Sequence, residues 1–119
     1  MFLDESQSLV PSKIWNGVPV ANAWHSCYKI KDSGLVIKEI LLHNFAGVDV
    51  DFGLMICPST HTDGSSLAEL YVYIQKVVAT ATPFERIELV TGVNQGWDIR
   101  IFSDSADLNI YISGVLIQK

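Results

Sequence analysis

VDVDFGLMIC, residues 48–57, places Val48, Val50, Phe52, Leu54 and Ile56 on one parity and Asp49, Asp51 and Gly53 on the other. In an extended chain, successive side chains point to opposite faces, so this alternation specifies a strand with one apolar face. Its other face begins with two carboxylates, which belong in water. A second sheet must cover the apolar face, and strand-like runs with turn formers between them recur on both sides of the stretch.

Working outward, residues 35–43 (LVIKEILLH) are rich in branched apolar side chains, and residues 44–47 supply a turn into the organising strand. The two are expected to form a hairpin. Residues 23–30 (AWHSCYKI) alternate ahead of an Asp-Ser-Gly turn and give the first strand. After Cys57, residues 58–66 (PSTHTDGSS) form the longest polar run, expected as a surface excursion. Residues 67–78 carry a mimic of a helix capping box, Ser66 with Glu69. Their β-branched and aromatic content nevertheless favours a strand. Residues 84–90 put Ile87 and Leu89 inward and Arg86 and Glu88 outward, and residues 97–102 alternate Trp97, Ile99 and Ile101 against Asp98 and Arg100. In residues 108–117 the phase shifts at Ser113-Gly114, which predicts a bulge there.

This pattern predicts an all-β, single-domain antiparallel β-sandwich of about seven strands, jelly-roll or immunoglobulin-like, spanning residues 23–119. Residues 1–22 are interrupted by Pro11, Gly17 and Pro19 and are expected as an extended N-terminal arm. Trp15 on that arm either caps the core or docks on a neighbouring subunit. The candidate partner-interface residues are Phe2, Ile14, Trp15 and Val18.

The chain has 119 residues, 49% of them hydrophobic and 18% charged, enough to close a two-layer core and apolar enough to suggest burial against other subunits. A formal charge of −5 and a pI near 4.9 oppose the phosphate neutralisation that nucleic-acid binding requires. Cys27 and Cys57 sit in apolar runs and are expected as buried free thiols, with a disulfide between facing sheets as the alternative. The N-terminal residues lack the form of a signal peptide, and no apolar run approaches the ~20 residues of a membrane helix. The expectation is synthesis in a cytoplasm and no membrane partner.

Reactive chemistry is sparse. His61 and Asp63 could start a metal site, but structural zinc takes four ligands and no matching pair is evident. Asp49 and Asp51, or Glu85 and Glu88, read more simply as solvated sheet faces than as a glycosidase pair. His25 and His43 stand without a nucleophile motif, and no phosphate-binding glycine loop is present. The expectation is a non-enzymatic protein with no catalytic residues, cofactor or metal.

Residues 37–44 (IKEILLHN), Ala46-Gly47, the alternating strand and Pro58, followed by residues 96–103 (GWDIRIFS), Ser105-Ala106, residues 108–114 and Ile117, stand in a fixed order. From Tyr28 onward this order resembles a recurrent small β-sandwich virion protein of tailed bacteriophages. The shared residues are turn and core positions, and residues 1–22 lie outside the match. The resemblance implies a structural role on a phage particle. That role is a capsid decoration (cement) protein, or alternatively a small neck, tail or head-fibre component. It implies capsid or other virion proteins as partners, localisation in the virion after synthesis in the bacterial host, and a homo-oligomer, with trimers common among such proteins. A carbohydrate-binding module is the competing class, with Tyr71 and Tyr73 on the outer parity of one strand as its ligand platform.

Overall fold

The computed structural model describes residues 8–29, 34–63, 70, 72–93 and 95–118. Eight strands run through them: β1 (Ser8–Gly17), β2 (His25–Lys29), β3 (Gly34–Asn44), β4 (Val50–Pro58), β5 (Val72–Val78), β6 (Phe84–Val93), β7 (Trp97–Ser103) and β8 (Leu108–Gln118). One sheet has the order β1-β8-β3-β6 and the other β2-β7-β4-β5. The antiparallel pairs β1–β8, β2–β7, β3–β6 and β4–β5 are those of one long hairpin folded at its middle. Rolling that hairpin adds β3–β8 and β4–β7. This is the strand order of a jelly roll, and it decides between the two sandwich topologies that the sequence left open.

The core lies between the sheets. Leu35, Ile37, Ile40 and Leu42 of β3 and Ile110 and Ile112 of β8 pack against Phe52, Leu54 and Ile56 of β4 and Ile99 and Ile101 of β7. The inward parity of residues 48–57 is therefore as expected from Val50 to Ile56, and Val48 stands outside it, 62% exposed. Residues 72–78 are a strand, as their propensity favoured.

Three expectations change. First, the strands number eight, because residues 8–17, read as part of an extended arm, form β1 against β8. Pro11 is accommodated there because β1 is an edge strand, where a missing N–H leaves no ladder bond unmade. Second, β3 and β4 are not a hairpin but belong to different sheets. Asn44, 4% exposed, fixes the crossover between them. Its backbone N–H donates to Pro83 O at 2.8 Å, and its Nδ2 donates to Val48 O at 2.7 Å and Val78 O at 2.8 Å. Its Oδ1 accepts from the Ala46 N–H at 2.9 Å. One side chain thus holds the connecting turn and the end of β5 together. Asn44→Ala orphans these groups and should lower stability by about 2–4 kcal/mol, read from urea denaturation.

Third, the irregularity anticipated at Ser113-Gly114 sits in the neighbouring strands. The register of β1 on β8 shifts between Lys13 and Trp15, and that of β3 on β8 between Ile37 and Glu39, while β8 continues in phase. The β3–β6 register shifts at the same level. Ile110, Ile112 and Gly114 accordingly share the buried face without interruption. Gly114 is required by crowding: an added Cβ would collide with the carbonyl oxygen of Val36.

Candidate functional site

On β7, Asp98 and Arg100 have the expected parity, away from the core, but not the expected solvation. Asp98 is 1% and Arg100 8% exposed. The cover comes from the polar run after β4, which over residues 59–63 is the expected surface segment, exposed except at His61, and lies against Arg100. Arg100 Nη1 donates to His61 O at 2.8 Å and to Asp63 Oδ1 at 2.7 Å, and Nη2 donates to Ser59 O at 3.3 Å. Nε and Nη2 also donate to Asp98 Oδ2, at 3.3 and 3.1 Å. His61 is itself buried and Asp63 is committed to the guanidinium, so this pair is not arranged as the start of a metal site. Burial opposes the charged form of Arg100. The hydrogen bonds to Asp63 and Asp98 outweigh it and hold the guanidinium above its ordinary pKa.

The thiols lie close by. Cys57 is buried opposite Asp98, and Cys27 donates from Sγ to Ile99 O at 3.2 Å; neither forms a disulfide. Burial pushes the Cys27 thiol up to about 12, with the nearby Asp98 charge adding to the rise, so it stays protonated and unreactive at neutral pH.

Beyond this network the same outer face opens into a cleft. Gly53 of β4 is in register with Phe102 of β7 on one side and Gln75 of β5 on the other. A glycine there leaves a notch one side chain wide. Trp24, from the segment before β2, lies over it, and a Cβ on Gly53 would meet the indole at 3.0 Å. The Trp24 ring is 5.6 Å from Phe102 and 6.2 Å from Tyr73, both tilted by 45°. Gln75 Nε2 donates to Tyr73 Oη at 2.8 Å. A cavity of about 340 Å³ is lined by Trp24 and Phe102 on the β7 side of Gly53, by Gln75, Lys76 and Val77 of β5, and by Asp51.

The outer face of the other sheet carries an apolar patch. Phe84 is 72% and Phe45 51% exposed, and the His43 ring joins them, stacked on Phe84 at 4.3 Å and 5.7 Å from Phe45. Leu41 continues the patch along β3.

The sequence-derived interface residues divide. Ile14 belongs to the core and Trp15 packs against it, its ring 5.7 Å from His25, so both are engaged within their own chain as a core cap. Val18 is exposed, and Phe2 lies outside the described residues. Of the tyrosine platform, Tyr73 is on the outer face and 39% exposed, while Tyr71 lies outside the described residues. The sequence reading missed Trp24, Phe102 and Phe84. Two signals could have found them: Gly53 inside a strand marks a close approach, and Phe84 shares the outward parity of Arg86 and Glu88. No protein-family model matches this chain, and no curated protein sequence matches it.

Proposed function

We propose that this chain is a non-enzymatic structural protein of a bacteriophage particle, a capsid decoration protein that binds other virion subunits and copies of itself through apolar contacts. The observation that carries this reading is the Phe45–His43–Phe84 patch. Large apolar side chains left contiguous in water mark surfaces that a partner covers. His43 and Phe84 are held opposite each other by the β3–β6 pairing, so little ordering is required on contact. The jelly roll is an architecture of viral capsid proteins, which agrees with the reading by analogy of fold alone.

The docking role considered for Ile14 and Trp15 passes to this patch, because Ile14 is buried in the core and Trp15 is half-buried against it, whereas Phe84 and Phe45 stand in water. Val18 and Val20, 51% and 72% exposed, remain outward beyond β1 as a second contact. The test is co-sedimentation of the full-length chain with phage capsid shells, beside Phe84→Ser. The expected result is that the native chain sediments with the shells and the variant is weakened at least about tenfold, with its thermal midpoint unchanged. Failure of the native chain to bind shells, or unaltered binding by the variant, overturns the assignment.

A further inference from the structure

The geometry points to the Trp24–Gln75 cleft as a binding site for a neutral hydroxylated ring, a pyranose unit of a surface glycan. It lies on the sheet opposite the Phe84 patch and stands independently of the virion reading.

Three observations specify the ligand class. Two half-buried aromatic side chains, Trp24 and Phe102, line the cleft and suit the flat C–H face of a sugar ring. Opposed to them are planar polar groups: the Gln75 amide, whose Oε1 remains an acceptor while Nε2 is held by Tyr73, and the Asp51 carboxylate at the rim. Adjacent ring hydroxyls offer donors and acceptors to such groups at once. Lys76 has the opposite parity on β5, and its ammonium is paired with Glu85 at 3.7 Å, which leaves Asp51 as the charged group of the cleft face. A volume of about 340 Å³ lies at the small end of the ~300–1,000 Å³ typical of ligand pockets, which suits one or two sugar units.

The experiment is NMR titration of the isotope-labelled full-length chain with the methyl glycosides of glucose, galactose and N-acetylglucosamine, then with their short oligomers. At least one series should give saturable shifts of the Trp24 indole N–H and the Gln75 side-chain amide, tightening with length. Gln75→Ala should weaken that binding about tenfold, equivalent to about 1.4 kcal/mol, with an unchanged thermal midpoint. Trp24→Ala should abolish it. Because Trp24 also covers Gly53, the exposed Gln75 supplies the variant that leaves the fold intact. Three outcomes would overturn the inference: no saturable shift at Trp24 or Gln75 with any sugar, sugar binding untouched by Gln75→Ala, or shifts produced only by a tetramethylammonium probe.

Discussion

Arg100→Met is expected to destabilise the protein by about 3–5 kcal/mol, a large part of the ~5–15 kcal/mol that holds a domain together. The cost arises from what the substitution leaves behind. Asp98 is 1% exposed, and its Oδ1 already has no hydrogen-bond partner among the described residues. Oδ2 depends on Arg100, with Ser26 Oγ donating only at 3.4 Å. Without the guanidinium, a carboxylate stays buried and uncompensated, and the carbonyls of Ser59 and His61 lose their donor. Arg100→Met combined with Asp98→Leu should recover most of the loss, because an apolar pair of similar volume has no charge to desolvate. A double-mutant cycle in urea reads the coupling directly. Single substitutions costing under about 1 kcal/mol would mean that the pair is solvated and loosely held. The segment 59–63 should also become more cleavable by protease in Arg100→Met, since three of its hydrogen bonds come from that one side chain.

Gly114→Ala should cost about 3 kcal/mol, at the upper end for overpacking, although it adds a single methyl group. The methyl would enter the carbonyl oxygen of Val36 and crowd Ile37 Cα, which are backbone atoms that no rotamer change can move aside. Relief requires β3 to separate from β8 where both β1 and β3 change register. Calorimetry should show a lower midpoint, and amide exchange should rise first in β1, the edge strand that only β8 holds in its sheet. A variant as stable as the native chain would place the bulge elsewhere.

Much of the fold was legible because period-2 alternation is a local property. The stretches at residues 48–57, 84–90 and 97–102 carry it openly, and each forms a strand. β1 was hidden by Pro11 and Gly17, residues that argue against a central strand and are tolerated at a sheet edge. The jelly-roll order was not legible, since whether Asn44 begins a hairpin or a crossover depends on Pro83 and Val78, far along the chain. Asp98 and Arg100 illustrate the same limit at the level of side chains. Parity told which face they occupy, but their burial comes from residues 59–63, whose docking no periodicity encodes. Among the candidate interface residues, Trp15 had two readings in the sequence, and its packing beside Ile14 selects the core cap. The exposed Phe84 could have been read from its parity alone.

The central claim is that this jelly roll is an assembly protein that contacts its particle through the Phe45–His43–Phe84 patch. It is tested most directly by hydrogen–deuterium exchange on the full-length chain, free and bound to capsid shells. The account predicts slowed exchange in residues 41–45 and 84–90, and around Val18 and Val20, with the Gly53 cleft unchanged. Exchange unaltered across both segments in the shell-bound chain would contradict it.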